Sequence, residues 1–126
     1  MIAVIFEVWP AGEDGRHHYL DLATALRSDL LTMDGFISIE RFQSLSEPGK
    51  LLSLSFWRDE DAVQAWRNLP SHRATQGQGR AGTFRDYRLR VASVIRDYGL
   101  NEREEAPADS RAVHERLPSP VVTGEG

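Results

Sequence analysis

What most limits the folds open to this chain is the order in which its apolar spacing changes. A two-residue repeat gives way to a helical repeat, then come two more two-residue repeats joined by a tight turn, a second helical repeat and a last two-residue repeat. Only the middle pair of strands has a connection short and turn-like enough to be a hairpin, at Ser46-Glu47-Pro48-Gly49. The other strands must be joined through helices.

The first repeat, Met1 to Pro10, puts Ile2, Val4, Phe6 and Val8 on one face and Ile5 and Trp9 on the other, which predicts a strand buried on both sides. From Arg16 to Met33, residues Tyr19, Leu22, Ala23, Leu26, Leu30 and Met33 recur at steps of three and four, an amphipathic helix stopped by Asp34-Gly35. Phe36 to Gln43 alternates again, with Ile37 and Ile39 expected opposite Phe36, Ser38 and Phe42. Leu51 to Trp57 follows as the third strand. Asp59, Glu60 and Asp61 then stand where a helix N-terminus favours negative charge, and Ala62, Trp66 and Leu69 mark the buried stripe of a helix that Pro70 interrupts. Ser71 is placed to cap a further turn carrying His72, and Gly77 and Gly79 end it. Thr83 to Tyr98, rich in Val, Ile and Tyr, reads as the fourth strand.

The order β-α-β-β-α-β is the split unit of a ferredoxin-like α+β fold, a four-stranded antiparallel sheet with helices on one face. The apolar residues expected on its other face call for cover. Two copies packed sheet to sheet into an α+β barrel would supply it, so a homodimer is expected. Residues 1–98 form the folded domain in this reading. Residues 99–126 hold six acidic against three basic residues and few large apolar ones, and read as a disordered or loosely attached acidic tail.

Composition narrows the function. The chain has no cysteine, so a disulfide framework, a thiolate nucleophile and Cys-type metal sites are excluded. The formal charge of −4 speaks against a nucleic-acid partner, and the five arginines between Arg80 and Arg96 alternate with Tyr87, Leu89 and Val91 as on a half-exposed strand. MIAVIFEVWP lacks a basic leader and is too short and mixed for a signal peptide or a membrane span. A cytoplasmic protein that does not enter membranes is the expectation. His17 and His18 are adjacent on a helix, about 100° apart, and so are not expected to share a metal ion.

The stretch FWRDEDAVQAWRNLPSHRATQ, with an aromatic-Trp strand end, an acidic helix start, Trp66 and then His72, resembles the antibiotic biosynthesis monooxygenase family. The similarity extends from Met1 to about Tyr98. It implies a dimeric α+β barrel with a pocket between sheet and helices in each subunit. In one branch, cofactor-independent enzymes oxidise electron-rich phenolic polycyclic compounds to quinones; in another, haem is bound and degraded. The haem branch keeps its iron ligand further from its Trp than His72 lies from Trp66, and it has an Asn in the first strand where this chain has Val8.

The function expected is therefore a small monooxygenase acting on an aromatic or polyketide-like compound without a tightly bound cofactor. Haem binding, or a non-enzymatic dimeric module for a small hydrophobic ligand, is the alternative. His72 is the candidate base and Trp66 the ring that shapes the catalytic pocket. Trp57, Gln76, Tyr87 and Arg90 are candidate substrate contacts: Gln76 lies one turn beyond His72, and Arg90 or Arg88 is positioned to steady an enolate if the strand register turns it inward. Each has a plainer reading, as core packing for Trp66 and Trp57 and as solvent-facing charge for the arginines.

Overall fold

A computed structural model describes residues 1–78 and 82–116. The elements run β1 (Ile2–Pro10), α1 (Gly12–Leu31), β2 (Phe36–Gln43), β3 (Leu51–Trp57), α2 (Glu60–Arg67), α3 (Pro70–Gln78), β4 (Phe84–Ser93) and α4 (Ala108–Arg116). The four strands form one antiparallel sheet in the order β2-β3-β1-β4. This is the ferredoxin-like α+β arrangement that the repeat order predicts. No helix among the described residues is long and apolar enough to cross a membrane.

β1 is the central strand, and its register divides the sheet. Val8 stands between Leu51 and Tyr87, Phe6 between Ser53 and Leu89, Val4 between Ser55 and Val91, and Ile2 between Trp57 and Ser93. These rows share the face covered by helices. Ala3, Ile5, Glu7 and Trp9 take the opposite, open face with Leu52, Leu54 and Phe56 of β3.

Two core groups lie under the helices. Leu30, Trp57, Ala62 and Val63 form one, with Ile2, Val4, Met33, Phe36, Ile39 and Trp66 packed against it. Val8, Tyr19 and Leu51 form the other, joined by Phe6, Leu20 and Phe84. The expected alternation in β2 needs correction here. A register shift between Phe36 and Ser38 inserts an irregularity, so Phe36 and Ile39 pack into the same core while Ile37 is half exposed. The fourth strand ends at Ser93, because its partner β1 begins at Ile2.

The connections are set by local chemistry. Asp59 caps α2, its carboxylate accepting from the Ala62 N–H at 2.9 Å, and Arg58 links it to Asp34 through a two-pronged ion pair at 3.0 and 3.1 Å. All three groups are solvent-screened, yet the guanidinium holds the Asp34 carboxyl below its ordinary value, and the Ala62 N–H and Arg58 together do so for Asp59. Pro70 does not simply break a helix. It opens α3 as its first residue, where its missing N–H costs nothing.

Residues 1–93 and 94–126 are two compact units. In the second, α4 is preceded by a turn in which the Arg103 guanidinium donates to the Gly99 carbonyl at 3.2 Å and lies over the Tyr98 ring, and Ala106 is buried.

Gly35 tests the α1-to-β2 corner. It has φ +84°, and a Cβ there would sit 2.7 Å from the Ala62 Cβ. Gly35→Ala is expected to destabilise the protein by roughly 1–3 kcal/mol, read as a lower urea midpoint at unchanged slope.

Candidate functional site

The end of β3, α2 and the start of α3 bring three rings into sequence. Trp57 closes β3 on the helix-covered face and is only 2% exposed, its indole N–H donating to the Ser55 hydroxyl at 2.9 Å. Phe36 meets it edge-on with centroids 5.3 Å apart, and Trp66 lies 6.3 Å away at a 31° tilt. Trp66 in turn carries the His72 imidazole stacked at 4.7 Å and 27°. The stack exists because Asn68 and Leu69 end α2 and Pro70 restarts the chain as α3, returning position 72 over position 66.

His72 Nδ1 is buried and has no hydrogen-bond partner among the described residues. Nε2 is not among the buried, unpartnered side-chain atoms of the described residues. Burial pushes the imidazole below its ordinary value of about 6.5. The carbonyls of Arg67 and Trp66 work in the opposite direction without a well-formed bond to Nδ1, and the Arg73 charge adds to the depression. The ring is thus neutral near pH 7 and able to accept a proton.

The other candidates lie apart from one another. Tyr87 lies on the helix-covered face of β4, half exposed, with its ring 5.6 Å from Phe6 and 6.1 Å from Phe84; Tyr19 completes this aromatic group. Arg90 does not join the rings. It stands opposite Ile5 on the open face and donates to Glu7 at 2.6 Å, while Lys50 reaches the same carboxylate at 2.9 Å. Arg88, two residues away and opposite Glu7, shares that face. Register therefore gives both arginines to the side away from His72. Gln76 belongs to α3, but its side chain lies outside the described residues. His18 is spent locally on the Thr83 hydroxyl at 2.7 Å, and His17 lies 3.9 Å from Glu13, so the pair diverges.

Sequence reasoning did not single out Arg41, whose Nε donates to the Tyr19 hydroxyl at 3.3 Å from the covered face of β2. The bulge that sends Arg41 to that face leaves no mark in the spacing. A solvent-open hollow lined by Arg103, Asp109, Ser110, Val113 and His114 belongs to the 94–126 unit and gathers none of these candidates.

The family model for antibiotic biosynthesis monooxygenase matches residues 1–78. The chain is 46% identical over 102 residues to the jasmonate monooxygenase ABM of Pyricularia oryzae, covering 81% of this chain and 47% of that protein. It is 33% identical over 75 residues to the uncharacterized protein YqjZ of Bacillus subtilis, covering 58% and 64%. The chain therefore spans less than two thirds of the length of either curated relative. Among solved structures, a putative antibiotic biosynthesis monooxygenase from Deinococcus radiodurans superposes with a TM-score of 0.69 at 16% identity over 79% of this chain and 97% of that one. Rv0793 of Mycobacterium tuberculosis gives 0.68 at 21% identity, covering 78% and 98%. This chain belongs to the antibiotic biosynthesis monooxygenase family.

The His72 ring lies over one face of the Trp66 indole, so a flat ligand does not stack on that face in this arrangement.

The depressed basicity of His72 has a measurable consequence. In an NMR titration its ring is expected to change protonation below pH 6.5, and Trp66→Ala, by opening the stack to water, to move that midpoint upward. The folded value lies below the unfolded one, so stability is fully present above about pH 6.5 and declines as pH falls below it.

Proposed function

We propose that this protein is a small monooxygenase in which His72 removes a proton from an electron-rich ring substrate held beside Trp66. The observation that carries this reading is the imidazole itself: stacked on Trp66, desolvated, and with a buried Nδ1 that no described protein group satisfies. Leaving such an atom unpaired costs about 1–3 kcal/mol, so its retention calls for a compensating role.

The chemistry needs no resident cofactor when the substrate is a ring methylene flanked by phenolic or carbonyl-bearing rings. Nε2 takes one proton, and the resulting carbanion reduces molecular oxygen and combines with it. One oxygen atom then remains as a carbonyl while the other leaves as water with both methylene hydrogens. Atoms and electrons balance, since one methylene compound and one dioxygen molecule give one ketone and one water. Trp57 shapes this site from behind Trp66 without contacting the substrate, since it is enclosed.

A second reading draws on the Pyricularia relative, whose name gives jasmonate as its substrate. Hydroxylating an unactivated carbon would consume two further electrons, so oxygen uptake with that substrate would require an added reductant. The two readings separate on that point.

Oxygen consumption with anthrone as substrate and no added reductant tests the proposal. His72→Ala is expected to lower the rate by a factor of roughly 10²–10⁴ while leaving the fold intact by circular dichroism, and an undiminished rate would remove His72 from the role. Uptake with a jasmonate and not with anthrone, dependent on added reductant, would favour the second reading.

We further infer that two copies pack their open sheet faces together, because Ile5, Leu52, Leu54, Phe56 and Phe42 lie on that face. Sedimentation at micromolar concentration is expected to give a dimer, and Leu54→Glu to shift it toward monomer. A monomeric wild-type mass would overturn the packing.

A further inference from the structure

The open face of the sheet carries opposite charge at its two edges. Read across the strands, one row runs Glu40, Leu54, Ile5, Arg90, and the next runs Phe42, Leu52, Glu7, Arg88. The inner strands β3 and β1 thus show this face mainly apolar side chains. The β2 edge presents a carboxylate and the β4 edge two guanidiniums, while Tyr87, Leu89 and Val91, which alternate with those arginines, go to the helix-covered face.

Within one copy only part of this charge is matched. Glu7 holds Arg90 at 2.6 Å and Lys50 at 2.9 Å. Glu40 and Arg88 are exposed, and neither makes a hydrogen bond or ion pair with another described residue. They stand on opposite edge strands, three strand spacings or about 14 Å apart. Leu54, Leu52, Ile5 and Glu7 lie between them, so they cannot pair within one copy.

A second copy changes that. Two open faces about 10 Å apart can be related by a two-fold axis across the strands or by one along them. An axis across the strands lays β2 on β2 and β4 on β4, bringing carboxylate edge to carboxylate edge and arginine edge to arginine edge. An axis along the strands lays β2 of each copy on β4 of the other, and opposite charges meet at both edges. Each residue then keeps its row, so Glu40 faces the stretch from Arg88 to Arg90. Arg90 is already held by Glu7, which leaves Arg88 to answer the carboxylate.

We propose that Glu40 pairs with Arg88 of the partner subunit, twice per dimer, and that this pair sets how the two sheets are oriented. This rests on the sheet-to-sheet packing inferred above and adds which edges meet. The apolar centre supplies affinity without direction. The edge charges supply direction, because like charges brought together cost more than an exposed attraction returns.

Charge reversal and cross-linking on the full chain test it. In sedimentation at low ionic strength, Glu40→Arg and Arg88→Glu are each expected to raise the dimer dissociation constant by about tenfold or more, since each turns both pairs into like charges. Both substitutions in one chain are expected to restore the dimer, and the loss in the single variants to shrink at high salt. With the axis across the strands, a single reversal would exchange one like-charge contact for another and weaken nothing. Single variants that dimerise as the wild type does therefore overturn the pairing, whereas a wild-type monomer overturns the packing beneath it as well. The chain has no cysteine, so the placement can also be read directly. A mixture of Glu40→Cys and Arg88→Cys chains is expected to cross-link with a short bis-maleimide, and Glu40→Cys alone is not. Cross-linking of Glu40→Cys to itself without the mixed product overturns the proposal, even where circular dichroism shows that a charge-reversed variant has not folded.

Discussion

The register of β1 between β3 and β4 is the constraint on which the rest of this structure depends. Each step of one residue along a strand reverses the face a side chain occupies, so pairing Val8 with Leu51 and Tyr87 fixes the side of every residue in the three strands. It places Trp57 under the helices and Phe56 on the open face, and it sends Arg88 and Arg90 away from His72. A slip of one residue would exchange the apolar row of β4 for its arginines and bring their charge to the helix-covered face.

Within that frame, the break between α2 and α3 does the positioning. A continuous helix would separate positions 66 and 72 by six residues, about 600° of rotation and 9 Å of rise, and their rings would not stack. The Asn68-Leu69-Pro70 break replaces that geometry with a 4.7 Å contact. The same contact takes water from the imidazole, so packing and basicity are one effect: the stack that buries Nδ1 is what keeps the ring neutral. Charged groups elsewhere are used structurally. Arg58 ties the end of β3 to the α1-β2 corner through Asp34 in an exposed pair that acts mainly on geometry, and Glu7 sits partly covered between Lys50 and Arg90 on the open face.

Much of the fold was legible because it rests on local spacing. The two-residue repeats of β1 and β3, the step of three and four in α1, the acidic residues at the start of α2 and the glycine after Asp34 each carry their own physical signature. Less of the site was legible. That Trp66 and His72 lie in the same region follows from their closeness in sequence, but the stack between them depends on how α3 restarts. The bulge after Phe36 turned Ile39 and Arg41 toward the helices with no turn residue to announce it. The exposure of Leu89 and Val91 was invisible because an alternating strand looks the same whether or not a helix lies across it.

The sequence by itself determined the element order, the strand edges set by turn chemistry and the family resemblance in the Phe56 to Gln76 stretch, since these depend on neighbours a few residues apart. Only the tertiary structure decided which arginines leave the site, that His72 loses its water to Trp66, and that the row from Tyr87 to Val91 stays uncovered. Those outcomes depend on pairings between residues far apart in the chain, such as Glu7 with Arg88, and on where the helices stop short of the sheet edge, neither of which is recorded in local spacing.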